Sequence, residues 1–211
     1  MPRPAIHQPD DVLDAARDLV LEAGPRAVGI RAIGERSGVP SGSLYHRFGS
    51  REELLARAWL RAVERFQVGY LRALDGPDPR AAALEAAAWS IEFALANPRD
   101  TRLLLEHSRL ALMEGATRRS MADQLARVND PILRAVRRLA TDLYDSQQTE
   151  AVERVSYAVI DLPLAVLRRQ LNAGTLSKGT VATLQSAVSA LLDTEAQRSS
   201  AARTKMSGAR S

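Results

Sequence analysis

Between Ser41 and Arg47 the chain reads SGSLYHR, in which Ser41, Ser43, Tyr45, His46 and Arg47 are all hydrogen-bonding residues, with Arg31 and Arg51 nearby in sequence. Hydroxyl, imidazole and guanidinium groups at this density offer donors to phosphate oxygens and base edges and little that a core would select. Tyr45 and Arg51 are expected at phosphates, the second because it opens a helix, where the macrodipole also attracts anions. Ser41, Ser43 and either His46 or Arg47 are expected at base edges, since Arg is the usual bidentate partner of guanine. For each of them the competing reading is a solvated or locally capping side chain. Leu44 and Phe48 are expected in the core. Other chemistries find little support: His7, His46 and His107 are far apart, and there is no cysteine. No metal-ligand spacing, Gly-rich phosphate loop or nucleophile elbow appears. Neither a catalytic site, a metal nor a cofactor is expected.

The elements that position this stretch are short. Ile30 and Ile33 mark one face of a first helix, and Gly38 can take the left-handed conformation that ends it. Pro40 and Ser41 can start a second helix, over about 41–47, with Ser41 as its cap. Gly49 ends that helix, and Ser50-Arg51-Glu52-Glu53 reads as a capping box opening a long helix over about 51–74. Two short helices joined by a tight turn place the second one in the DNA major groove.

In these residues, from the Ile-x-x-Ile-Gly-x-x-Ser-Gly-Val run of Ile30–Val39 through Gly42-x-Leu44-Tyr45-x-x-Phe48 to Ser50-Arg51-x-x-Leu54, the chain resembles the tetracycline-repressor (TetR/AcrR) family of transcriptional regulators. The resemblance implies a dimeric DNA-binding protein with an all-helical ligand-binding domain behind the helix-turn-helix. Two positions depart from the family pattern: Gly29 replaces the usual hydroxyl cap, and Arg47 stands where His is frequent.

Composition agrees with an all-α chain. Aromatic residues make up 4% of 211 residues, and Ala, Leu, Arg and Glu abound. No run of about 18 apolar residues exists, so no membrane-spanning helix is expected. Met1–Pro9 lacks the regions of a signal peptide, and a cytoplasmic location is the expectation. The net charge of +4 resides in Arg198, Arg203, Lys205 and Arg210, which leaves residues 1–196 balanced. The relevant footprint is therefore local: Arg26, Arg31, Arg36, Arg47 and Arg51 against Glu35 alone in residues 26–51, preceded by Asp10, Asp11, Asp14, Asp18 and Glu22 on a support helix whose acidic face is expected to point elsewhere.

Periodicity extends the helices to the end of the chain. Residues 1–50 read as the helix-turn-helix domain, with Arg3 in a terminal arm that is either frayed or minor-groove-binding. Residues 51–76 read as a linking helix ended by Gly76-Pro77-Asp78-Pro79. Residues 77–196 form a helical ligand-binding and dimerisation domain, and 197–211 a disordered basic tail. Helices are expected over 80–96, 100–113, 117–144 with an interruption near Asn129-Asp130-Pro131, 150–171 kinked by Pro163, and 177–192. Ligand contacts would come from Phe66, Tyr70, Trp89, Phe93, His107 and Leu110, and from Met113, Met121, Leu125 and Tyr144, with Glu92, Arg109 or Asp161 as polar anchors. Each of the apolar ones is also explained as plain core. Val155, Val159, Leu162 and Val166, with Leu184, Val188 and Leu191, form narrow apolar seams that either cover the chain's own core or pair with a second copy; the resemblance favours the second copy. The reading that unites these features is a homodimeric repressor released from a palindromic operator by a small-molecule effector. The alternative is an effector-independent DNA-binding or protein-interaction adaptor whose bundle has no cavity.

Overall fold

The computed structural model describes residues 9–107 and 119–208, with side chains described for residues 10–107 and 119–193. Every regular element among them is a helix, and none is long and apolar enough to cross a membrane. In chain order these are α1 (Pro9–Ala23), a 3-10 turn (Pro25–Ala27), α2 (Ile30–Ser37), α3 (Ser41–Phe48), α4 (Arg51–Leu74), α5 (Pro79–Ala96), α6 (Pro98–Glu106), α7 (Arg119–Arg127), α8 (Asp130–Tyr144), α9 (Thr149–Ser156), a π turn (Tyr157–Asp161), α10 (Leu162–Ala173) and α11 (Gly179–Gly208). The expected break falls between α7 and α8, because Pro131 cannot continue a helix from the preceding turn. The last helix runs on to Gly208, past Leu192, so that residues 197–208 are helical where a disordered tail was expected. Ala and Arg, which recur in this stretch, are both strong helix formers.

Contacts divide the chain into two compact units, one from residues up to Arg65 together with Asn97–Asn129, the other from Phe66–Ala96 and from Asp130 onward. The change of unit thus falls inside α4, between Arg65 and Phe66, rather than at Gly76–Pro79. The described residues of α6 and α7 belong with α1–α3 instead of with the expected carboxy-terminal domain.

In the first unit, Val12, Ala16 and Val20 of α1 pack with Ile30 and Ile33 of α2, Leu44 and Phe48 of α3, Leu54, Leu55, Ala58 and Ala62 of α4, and Leu103 of α6. Charge also fastens this unit. Asp100 of α6, only 2% exposed, accepts from Arg17 Nη1 at 2.6 Å and from Arg65 Nη1 at 3.2 Å, joining α6 to both α1 and α4. Burial of Arg17 works against its charge, but hydrogen bonds to Asp100 and Asp18 outweigh it and raise its pKa. Asp10 and Asp14 pair with Arg61, and Asp18 with Arg99. The acidic row of α1 therefore does not point elsewhere: spaced one turn apart, it faces arginines of α4 and α6.

In the second unit, α5 is buried on most of its circumference, at Ala82, Ala83, Ala86, Ala87, Ile91, Phe93 and Ala94. Its alanines allow the close approach of α11, which buries Leu184, Val188 and Leu192. Val155 and Val159 are likewise at 0% and 1% exposure within the single chain, as are Leu184 and Val188 at 2% and 0%. This corrects the reading of these four as dimer contacts. A 3–4 apolar spacing suits packing against any helix, and here the partner helices belong to the same chain. Leu162 and Val166 remain half-buried and Leu191 exposed.

Replacing Asp100 with Ala should destabilise the protein by about 3 kcal/mol, because Arg17 keeps its buried charge and loses its principal counterion. Urea unfolding followed by far-ultraviolet circular dichroism measures this; a loss under about 1 kcal/mol would show that Arg17 finds enough compensation in Asp14 and Asp18.

Candidate nucleic-acid interface

The turn between α2 and α3 is built on two glycines. Gly38 has φ of 73° and donates its N–H to the Gly34 carbonyl, and Val39 N–H follows to the same oxygen at 3.1 Å. That return brings the Val39 carbonyl so near to α2 that a Cβ on Gly34 would stand 2.7 Å from it. Gly34 is thus required by a close approach, which its place in the Ile-Gly pair did not disclose. Gly29, at the start of α2, supplies no side-chain cap. Nor does Ser41 cap α3: Pro40 holds the cap position, and its carbonyl receives the Ser43 N–H at 2.9 Å. Of the expected capping box, Glu53 N–H donates to Ser50 Oγ at 3.1 Å.

Alternation along α3 separates anchor from surface. Leu44 is 0% exposed and Phe48 4%, both in the first unit's core, whereas Tyr45 is 54% exposed. Ser43, His46 and Arg47 are exposed as well, with Ser41 half-buried. The Arg47 guanidinium lies 5.7 Å from the Phe48 ring centroid, a cation–π contact that leaves its donors in solvent. The face formed by Ser43, Tyr45, His46 and Arg47 is a band of hydrogen-bonding groups on a helix whose other side is fixed.

The surrounding arginines are less uniform than their spacing implied. Arg31 is exposed and bonded to Glu35 one turn on, at 2.9 Å, a pairing weak enough in water to exchange for another anion. Arg36 forms a two-pronged bridge to Glu22 at 2.9 and 2.8 Å, and this hydrogen-bonded partner holds the Glu22 carboxyl below its ordinary range. Arg51 does not present its charge to a phosphate. Its guanidinium donates to the carbonyls of Val28 and Pro25 and to Glu52, fastening the start of α4 to the loop before α2. The expectation of a DNA contact at Arg51 is corrected on that ground. Spacing marked it as a helix-start cation, but only folding brings residues 25–28 within its reach.

The expected ligand residues fall into several places. Phe66, Tyr70, Trp89 and Phe93 come together in the second unit, Phe66 stacked on Tyr70 at 5.0 Å, edge-on to Phe93 at 5.4 Å, and Trp89 6.1 Å from Phe93. Tyr144 instead donates to the Leu192 carbonyl at 3.0 Å, tying α8 to α11. Met121 and Leu125 are buried in the first unit on Ala56 and Leu60, and His107 ends α6 there. Leu110 and Met113, with Arg109, lie outside the described residues. Glu92 and Asp161 are exposed, which removes them as anchors inside the bundle.

The described helix-turn-helix carries its hydrogen-bonding groups on an exposed face, and it coincides with a match to a known family. Residues 12–58 match the model for bacterial regulatory proteins of the tetR family. These residues are similar to the helix-turn-helix segment of that family. The match begins in α1 and ends in the first half of α4, so that it contains α2 and α3 whole. No curated protein matches the chain by sequence. Among solved structures, a tetR-like transcriptional regulator from Rhodococcus sp. RHA1 is similar, with 20% identity over 91% of this chain and 96% of its own and a TM-score of 0.65. A tetR-family transcription regulator from Marinobacter aquaeolei VT8 shares 13% identity over 87% of this chain and 94% of its own, with a TM-score of 0.67. FadR from Bacillus subtilis, solved in complex with stearoyl-CoA, shares 12% identity over 88% and 97%, with a TM-score of 0.68. At such identities these likenesses establish the fold alone, tetR-like over the described residues: an amino-terminal helix-turn-helix followed by helices.

Two substitutions separate scaffold from surface. Arg51→Ala should lower stability by about 1–3 kcal/mol, since buried carbonyls lose a charged donor, while Arg47→Ala should change it by under about 0.5 kcal/mol. Thermal unfolding of the two variants side by side reads this, and equal effects would reject the distinction. Gly34→Ala should cost about 1–3 kcal/mol by overpacking the turn, visible in the same melts as a variant weaker than Gly42→Ala, whose Cβ meets nothing within 4 Å.

Proposed function

We propose that the protein is a homodimeric transcriptional repressor that holds a palindromic operator through the exposed face of α3 in two successive major grooves, and that a small-molecule effector releases it. The observation that carries the reading is the alternation on α3, with Leu44 and Phe48 buried and Ser43, Tyr45, His46 and Arg47 exposed. Phosphate contacts by Tyr45 and Arg31 set the register, and His46, Arg47, Ser43 and Ser41 read base edges. Two copies of α3 related by a twofold axis then match half-sites about 34 Å apart.

Dimerisation would use what the second unit leaves uncovered on its last helices: Tyr157 at 54% exposure, Leu191 at 37%, and the half-buried Leu162 and Val166. Leu162 and Val166 also line a surface groove of about 380 Å³ with Arg169, Thr180 and Leu184 of α10 and α11. Effector release follows by population shift if the ligand prefers a geometry in which the two α3 helices no longer match the operator. The aromatic group at Phe66, Trp89 and Phe93 is the proposed place of ligand contact. FadR, of the same fold, was solved with stearoyl-CoA, which makes a long-chain acyl-CoA the first effector to try. A regulator of this kind works in the compartment that holds the DNA, the cytoplasm.

Fluorescence anisotropy on DNA from immediately upstream of the protein's own gene, across a salt series, tests the reading. Specific binding should exceed binding to random DNA by about a thousandfold, with a steep negative salt dependence. Arg47→Ala and Tyr45→Phe should each weaken it roughly tenfold, in keeping with one lost base or phosphate contact. Binding that is weak, equal on all DNA and indifferent to both substitutions would reject it.

A further inference from the structure

Between α9 and α10 the chain makes a π turn over Tyr157–Asp161 with helical dihedrals on both sides, Leu162 N–H donating to the Tyr157 carbonyl five residues back. Pro163 follows at the start of α10 and explains the irregularity. It has no N–H to return to the Val159 carbonyl four residues earlier, and its ring would crowd that oxygen in a regular helix. Into this place comes Tyr70 of α4. Its hydroxyl donates to the Val159 carbonyl at 2.6 Å, with Val159 at 1% exposure and Tyr70 at 2%.

The neighbours of Tyr70 make its position specific. Phe66, one turn earlier, stacks on it, and the Phe66 carbonyl accepts the Trp89 indole N–H at 2.9 Å. Trp89 lies flat enough on α4 that a Cβ on Gly69 would be 2.2 Å from its Cζ2. At the end of α4, Arg138 donates to the Leu74 carbonyl at 3.1 Å. Each of these bonds ends on a backbone oxygen, so each is satisfied at one axial position of α4 and lost when the helix slides by a fraction of its 5.4 Å pitch.

We propose that the Tyr70 hydroxyl and the Pro163-imposed π turn form a regulatory latch: they lock the Phe66–Leu74 half of α4 to the helix that carries Tyr157, Leu162 and Val166, so that these two elements move together. The inference rests on the proposed function for its consequence, since those three residues belong to the face assigned to the second copy and α4 begins beside α3. Its physical content does not. Burial pushes the Tyr70 hydroxyl well above its ordinary 10.0, with Asp161 adding in the same direction, so the donor keeps its proton at neutral pH. The latch responds to displacement and to a competing hydrogen-bonding group, and is indifferent to protonation.

Hydrogen–deuterium exchange on the full chain, read by mass spectrometry for the wild type, Tyr70→Phe and Pro163→Ala, tests the latch. Pro163→Ala returns an N–H that can serve Val159 and straighten the helix, and so withdraws the acceptor from Tyr70 by an independent route. Both variants should raise exchange at least tenfold in residues 66–74 and 157–166 and leave residues 30–48 at wild-type rates. Both should also shift operator affinity at least fivefold although no α3 side chain is changed. Exchange that rises uniformly over the chain, or in 157–166 without 66–74, would overturn the latch and leave Tyr70 an ordinary core residue. If no specific DNA is found even for the wild type, the proposed function fails, and the local exchange pattern alone still decides the latch.

Discussion

An eight-residue helix has no stability of its own, because two turns cannot repay the cost of nucleating them. Everything in the amino-terminal unit follows from having to hold α3 nonetheless. Leu44 and Phe48 insert into a core drawn from α1, α2, α4 and α6, and the polar residues between them are carried along as passengers of that burial. The sharp return at Gly34 and Gly38 sets the distance of α3 from α2, and the donation by Arg51 to the Val28 and Pro25 carbonyls sets where α4 can begin. The exposed face of α3 is thus positioned by residues that do not belong to it.

Charge is used in two ways in this unit. Asp10, Asp14, Asp18 and Asp100 are consumed in bridges to Arg61, Arg17, Arg99 and Arg65, and Glu22 in a bridge to Arg36. Within the basic run of residues 26–51, Arg36 is taken up by Glu22, and Arg51 by Glu52 and the carbonyls of Val28 and Pro25. What is left to meet a polyanion is narrower and better defined: Arg47, whose donors stay in solvent, and Arg31, whose exposed partner Glu35 costs little to leave. In the proposed function this favours selectivity for one DNA sequence, since a wide positive field binds all duplexes alike.

The second unit solves a different problem, that of packing helices of small residues closely. Alanines on α5 admit α11, and Gly69 on α4 admits the Trp89 ring. Close approach brings side chains to the backbones of other helices, which is why the bonds there run from Tyr70, Trp89, Arg138 and Tyr144 to carbonyl oxygens. Side chain-to-backbone bonds fix register more tightly than apolar contact does, since an oil-like surface tolerates sliding and a hydrogen bond does not.

The sequence by itself determined the helices, the turn at Gly38 and the identity of α3, because each rests on local rules: apolar periodicity, glycine at a left-handed position, proline at a helix start. The same rules separated Leu44 and Phe48 from Ser43, Tyr45, His46 and Arg47. Tertiary structure alone decided the rest. Arg51 looked like a phosphate ligand until residues 25–28 came within reach, and Val155, Val159, Leu184 and Val188 looked like an interface until helices of the same chain were seen to bury them. Met121 and Leu125 read as lining the same bundle as Phe66 and Phe93, yet they belong to the first unit. Periodicity states that a face is buried and is silent about what buries it, and a charge in sequence has no partner until the chain folds to supply one.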